Sequence, residues 1–320
     1  MGLPTEFLTF EQIKERWPPS GPMDLVGQPA RVTDDTQMTI AVGGALLHVL
    51  KAGSFTPAHV ERALRNRFVE WLHSPDNNRA PGRTCMTACA RLGDGASWLD
   101  ATVVRSKGCG ANMRVAPAAF VPANVRAPIA QFQAALTHGH PTALAASDLT
   151  AYAIASLAEG TSPTSLISAL RHYAESQRTT YHLEWLGDLW LRAGASDQQS
   201  YISAGWDECL GVLASVDRAV PRLGDEADPC TATGEGWVAE EAFATGLLCF
   251  LLHRGQPRRA VCRGAATGGD SDSIASIAGA LAGACLGISS WPQAWIDRIE
   301  YGEQIGPIAR DLAAMTDLRS

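Results

Sequence analysis

Apolar residues recur at helical spacing along most of this chain. In "MTIAVGGALLHVL", Met38, Val42, Ala45 and Val49 fall on one side of a helix, with Ala41 and Leu46 beside them. The stretches "LISALRHYA", "YHLEWLGDLWLRAG" and "WVAEEAFATGLLCFLL" carry the same period. "IASIAGALAGACLG" is helical by period but crowded with small residues, and Gly279 and Gly283 in it predict a tight central position where a second helix comes close. Alternation with a period of two is scarce; "SWLDATVVRS" is its best candidate, and it is short. The pattern predicts an all-α protein of about ten or more helices. Turn-forming text such as "WPPSGPMD", "HSPDNNRAPGR" and "PRLGDEADPCTATGEG" marks loops, and none looks like a long linker. There is no internal repeat. The distinctive motifs run from one end to the other, so residues 1–320 are expected to form one compact domain.

Composition narrows the classes. With 320 residues and 46% hydrophobic content the chain can bury a large core. No run of about 18 residues is uninterruptedly apolar, which argues against a spanning helix and a membrane partner. "MGLPTEFLTF" has no basic region followed by an apolar run, so a cytoplasmic protein without a secretory signal is expected. The net charge of −7 argues against nucleic acid as the main partner. None of the eight cysteines forms a C-x-x-C pair, and several lie in apolar helical text, so buried free thiols are expected rather than zinc or disulfides.

The chemistry concentrates in three stretches. "RVTDDTQMTI" sets Asp34 and Asp35 between two threonines at a helix start. Thr33 or Asp34 can cap the helix and the next acid can meet its dipole, but one cap cannot use two carboxylates and two hydroxyls. "ATGGDSDSIASIAG" repeats the theme, with Asp270, Asp272 and Ser273 after two glycines. Hard divalent cations take six or more oxygens, largely carboxylate, and the two stretches supply six side chains between them. An EF-hand is excluded by Ile274 and Ala275, and a zinc site by the lack of Cys or His at ligand spacing; "HGH" at His138 and His140 is too little. The third stretch, "SKGCGANMRVAP", brackets Cys109 with Gly108 and Gly110 and continues through Ala111, Asn112, Met113 and Arg114. Such glycines expose N–H groups that cradle phosphates, though the same text serves as an ordinary turn, and it is not a P-loop.

Together with "GLPTEFLTFEQIKERW" and "LTHGHP", the order of these blocks resembles the ADP-ribosylglycohydrolases over nearly the whole chain; "TDDT" and "GGDSDSIASIAGA" are specific in combination. The resemblance implies an all-α fold with two Mg²⁺ (or Mn²⁺) ions that cleaves the glycosidic bond between ADP-ribose and an acceptor. Carried over by motif, Thr33, Asp34 and Asp35 would hold one metal, and Asp270, Asp272 and Ser273 the other, with Asp272 bridging. Glu6 in "PTEF" matches an acidic residue beside the metal pair. The "GCGANMR" loop, Gly108–Cys109–Gly110–Ala111–Asn112–Met113 with Arg114, would wrap the diphosphate and ribose, and His138 matches a histidine near the substrate. Trp237 is a candidate for the adenosine pocket, or simply packs a helix. Without the resemblance, Glu6 reads as a surface acid, His138 as a capping or core histidine, and Glu240 and Glu241 as a solvated helix face.

Three departures stand out. The resemblance implies a glycine-rich helix ahead of the "G-x-P-x-E-F" segment, whereas this sequence starts at Met1–Gly2–Leu3; an N-terminally shortened chain with an apolar groove left open is the expectation. Ser273 stands where threonine is usual, and both supply a hydroxyl. Cys109 stands where asparagine is common. Glu6, Asp35 and Asp270 are the candidates for acid and base. The expected function is release of ADP-ribose from a modified protein, arginine first, with ADP-ribosylated nucleic acid left open. The alternative is a non-catalytic protein that binds ADP-ribose or a nucleotide.

Overall fold

The computed structural model describes residues 1–317, in which helices are joined by short loops and turns and the only strand-like pairings are isolated bridges. The principal helices are α1 (Phe10–Arg16), α2 (Asp34–Ala52), α3 (Pro57–Leu72), α4 (Arg83–Gly93), α5 (Ala123–Ala135), α6 (Pro141–Ala158) and α7 (Leu166–Gln177). They continue with α8 (Gln198–Ala219), α9 (Ala239–Leu252), α10 (Pro257–Ala265), α11 (Ser271–Leu286), α12 (Gln293–Arg298) and α13 (Gly302–Asp317). The all-α expectation holds.

Helix α6 is the centre of the molecule, packed against α5, α8, α9 and α11. Its text "PTALAASDLTAYAIASLA" is apolar or small all round, and nearly every residue is buried. Pro141 sits in the first turn, where a missing N–H costs nothing, and His140 Nδ1 accepts from Thr142 N at 3.2 Å. Helix α2 packs against α3, α13 and α11. Met38, Val42, Ala45, Leu46 and Val49 are all buried, as the spacing predicts. A fully buried leucine such as Leu46 contributes roughly 1.5–3 kcal/mol.

Two local expectations fail and a third holds in part. "SWLDATVVRS" is not a strand. Ser97 Oγ caps Asp100 N at 3.2 Å, Trp98–Ala101 close one helical turn, and only Val103 pairs, in an isolated bridge to His138. The local cap wins because so short an extended run finds no neighbouring strand. "YHLEWLGDLWLRAG" is two turns, Leu183–Leu186 and Leu189–Arg192, broken at Gly187, whose φ of 46° ends the helix.

Gly279 is approached by α10, since a Cβ there would lie 3.2 Å from Val261 Cγ2, but Gly283 meets only Trp291 Nε1 at 3.8 Å, and both line a groove. The tight approaches to α11 are made by its neighbours. A Cβ on Gly264 of α10 would lie 2.8 Å from Ala275 Cα, and one on Gly246 of α9 2.8 Å from Ile277 Cγ2.

The groove encloses about 520 Å³ between α11, α12 and α13, with Val261, Trp291, Trp295 and Ile305 among its apolar walls. Met1–Leu3 border it, and Thr33, Asp35 and Asp272 form its polar edge. No described helix is long and apolar enough to cross a membrane.

Candidate metal centre and substrate loop

The starts of α2 and α11 meet. Thr33 occupies the N-cap position of α2 with extended backbone, yet its hydroxyl caps nothing; it donates to Asp35 Oδ2 at 2.9 Å. At α11, Asp270 N donates to Glu235 O at 2.7 Å. Gly269 makes that approach possible, since a Cβ there would lie 1.8 Å from Glu235 O. Ser273 Oγ then donates to Asp35 Oδ1 at 2.9 Å, tying together two helix starts 238 residues apart in sequence. Carboxylate oxygens of Asp34, Asp35 and Asp272 fall within 4.8 Å of one another, and all three residues are buried.

Glu6 joins them from a turn of the N-terminal segment. A Cβ on Gly2 would lie 2.2 Å from Asp272 Cα, so only glycine lets this segment lie against the start of α11. Glu6 N donates to Gly2 O at 2.9 Å, and Thr5 Oγ1 pairs with Ser271 Oγ at 2.9 Å. Phe7 follows with φ 68°, a left-handed conformation that costs a non-glycine residue of order 1–3 kcal/mol. Its exposed ring stacks on exposed Trp237, with centroids 5.7 Å apart.

Burial and repulsion act on Glu6, Asp34, Asp35 and Asp270. Glu6 is pushed up to about 8, by burial first and then by Asp272 and Asp34. Asp34 is pushed up to about 7 by burial and then Asp272, partly offset by the Gly82 N–H. Asp35 and Asp270 are held well above the carboxylate range, again by burial and then Asp272. Clustered carboxylates of this kind gain most from a cation among them. Asp272 Oδ1 is buried and finds no hydrogen-bond partner among the described residues. This all-oxygen cluster at two helix starts fits hard divalent cations, and Thr33, Asp34, Asp35, Asp270, Asp272 and Ser273 are the residues that would hold them.

The glycine loop runs along this acidic surface. Cys109 N donates to Trp237 O at 3.1 Å and Ala239 N to Lys107 O at 2.9 Å, so the loop is bridged to the start of α9. Cys109 Sγ lies 2.7 Å from Asp270 Oδ2 and 3.5 Å from Ser273 Oγ, and Ser273 Oγ is 3.8 Å from Met113 Sδ. Gly108, Cys109 and Gly110 are half-buried, whereas Ala111, Asn112 and Met113 are buried. Asn112 Nδ2 donates to Ala239 O at 3.0 Å, a strut into α9.

His138 lies beneath the loop. It is buried, Nδ1 meets Thr137 Oγ1 at 2.7 Å, and burial pushes its pKa down to about 3, so it stays neutral. A Cβ on Gly110 would lie 3.2 Å from His138 Cε1 and 2.8 Å from Cys85 Sγ.

Arg114 ends the "GCGANMR" stretch expected to wrap the diphosphate and ribose, but it turns inward instead. It is fully buried beneath the same loop and bonds Gln133 Oε1, Gln133 O and Thr137 Oγ1, while Gln133 Nε2 holds Ala111 O at 2.9 Å. Gln133 gave no motif signal, and Thr137 entered only as part of "LTHGHP". Glu240 is not a solvated face either: it is buried and paired with Lys107 at 2.5 Å, and Glu241 accepts from Gly236 N at 3.3 Å.

A family model described as ADP-ribosylglycohydrolase matches residues 1–320. The chain belongs to the ADP-ribosylglycohydrolase family, a class of hydrolases acting on ADP-ribose linkages. It is 34% identical over 89 residues to mouse ADP-ribosylhydrolase ARH3, a match spanning 25% of this chain and 24% of that protein. Thus the match extends over about a quarter of the mouse relative's length. An "Uncharacterized protein" of Archaeoglobus fulgidus is 25% identical over 324 aligned positions, covering 98% of this chain and 91% of that one. A solved structure titled "ADP-ribosylglycohydrolase-related protein complex" superposes with a TM-score of 0.62 at 20% identity, over 98% of this chain and 95% of that chain. At that identity it shows the shared fold.

Proposed function

We propose that the protein hydrolyses the glycosidic bond between ADP-ribose and an acceptor, arginine side chains first, using two Mg²⁺ or Mn²⁺ ions held by the two acidic helix starts. The observation that carries this reading is the Ser273–Asp35 hydrogen bond, which joins the two helix starts beside Glu6 and the glycine loop. Divalent cations at this position supply positive charge that orients ribose hydroxyls and acidifies water.

The other roles fall to this chain. Cleavage at the anomeric carbon passes through an oxocarbenium-like state, so water needs a base and the leaving group a proton. Glu6, half-buried between the acids and exposed Phe7, is placed to exchange a proton with the substrate; Asp35 and Asp270 are the buried alternatives. The 108–113 loop would border the diphosphate and ribose; its Cys109, Asn112 and Met113 N–H groups are already bonded to Trp237 O and Cys109 O. Trp237 and Phe7 offer a flat apolar surface at the mouth, suited to the adenosine or to a planar guanidinium.

The test is release of free ADP-ribose from arginine-, serine- and nucleic-acid-linked substrates in parallel, with and without EDTA. Release from the arginine-linked substrate, lost in EDTA and restored by Mg²⁺ or Mn²⁺, is expected. Release indifferent to EDTA rejects the metal centre. Binding of ADP-ribose with no release from any substrate leaves the non-catalytic binder.

A further inference from the structure

Among the described residues, Cys109 is the one thiol that donates a hydrogen bond to a carboxylate. Its sulfur is 2.7 Å from Asp270 Oδ2 and 3.5 Å from Ser273 Oγ. The loop is pinned at this residue by its own N–H to Trp237 O, and Gly110 packs down onto Cys85 and His138, so the sulfur is held against the acids. A second observation points to a ligand here. Asp272, nine-tenths buried with Oδ1 unpartnered, groups with Asp34 and Asp35 and stands close enough to Asp270 to push its carboxyl up. The centre therefore offers a soft donor beside hard ones.

We propose that Cys109 makes this centre a site for thiophilic divalent cations, Zn²⁺ or Cd²⁺, bound through its thiolate and Asp270 in competition with Mg²⁺ or Mn²⁺. The inference rests on the metal-centre reading of the same acids and adds a selectivity to it. Mg²⁺ takes oxygen ligands and ignores sulfur, whereas Zn²⁺ and Cd²⁺ gain from a thiolate. On binding, the S–H bond breaks, the proton passes to the buffer, and the sulfur lone pair forms the bond to the cation; no oxidation state changes. Excess Zn²⁺ would then hold the centre against the hard ion, a sensitivity that an asparagine at position 109 would lessen.

The experiment titrates metal-free protein with Cd²⁺ and follows the ultraviolet thiolate-to-cadmium charge-transfer band. A thermal-shift titration with Mg²⁺ and Mn²⁺ runs beside it. The band is expected in the native protein, lost in Cys109→Asn and Cys109→Ser, and shifted to at least about tenfold higher Cd²⁺ in Asp270→Asn. Magnesium and manganese should still stabilise the Cys109 variants. A Cd²⁺ band unchanged in both Cys109 variants, alongside a normal Mg²⁺ shift, overturns the thiol site and leaves the metal centre standing. No shift with either hard ion in the native protein rejects the metal-centre reading itself. Should either Cys109 variant lose its folded circular dichroism, the other and Asp270→Asn carry the same comparison.

Discussion

The loop at residues 108–113 separates two buried charged regions that resolve their charge in opposite ways. On one side Glu6, Asp34, Asp35, Asp270 and Asp272 crowd together, and burial and like charge push the titration of Glu6, Asp34, Asp35 and Asp270 upward. On the other side Arg114 is fully buried without a carboxylate partner. It is satisfied by the neutral acceptors Gln133 and Thr137 and lies over the Phe68 ring at 4.3 Å. The basic side is complete as it stands. The acidic side has a buried oxygen with no partner among the described residues, and the Gly82 N–H, Cys109 and Ser273 only partly offset its repulsion. A buried charge signals a ligand site when its hydrogen bonds are unfilled, and a structural strut when they are filled.

The largest effect should come from breaking the acidic side. Asp272→Ala is expected to reduce ADP-ribose release beyond the roughly 100-fold typical of outer-shell partners, and to remove the Mn²⁺ thermal shift with it. Retention of that shift would show that the acids are not a cation site. On the basic side, Arg114→Met should cost about 1–3 kcal/mol of stability in urea unfolding, because buried acceptors on Gln133 and Thr137 lose their donor. The folded fraction should still respond to Mn²⁺; loss of that response at full stability would make Arg114 part of the ligand site.

The smallest effect is on pH. Glu6 and Asp34 keep their protons in the folded protein up to about 8 and about 7, while unfolded carboxyls release them near 4. The folded state thus binds more protons in that window, and the metal-free protein should lose stability as pH rises from about 5 to 8. A divalent cation at about 100 times its Kd should restore roughly 2.7 kcal/mol and reverse the slope. A flat metal-free melting profile across this range would contradict the crowding of the acids.

Much of the site is legible in the text because its parts are local. "TDDT" and "GGDSDS" each place several oxygens at a helix start, and neither helix needs so many to begin. Periodicity likewise places Met38, Val42 and Leu46 inward. The central helix α6 escaped notice because a helix apolar on every side has no stripe to detect. The inward role of Arg114 and the part of Gln133 gave no signal because a satisfied buried network uses common residues at no fixed spacing.

The all-α class, the helix starts and the two acidic pairs follow from the sequence by itself, since capping, period and backbone freedom act over a few residues. Tertiary structure alone decided that Ser273 reaches Asp35, that Gly2 lets Glu6 approach Asp272, and that Cys109 Sγ rests on Asp270. It also left Gly279 and Gly283 facing a groove and gave the close approaches to Gly246 and Gly264. These depend on which helix faces pack together, and that is set by the shape of the whole core rather than by any one segment.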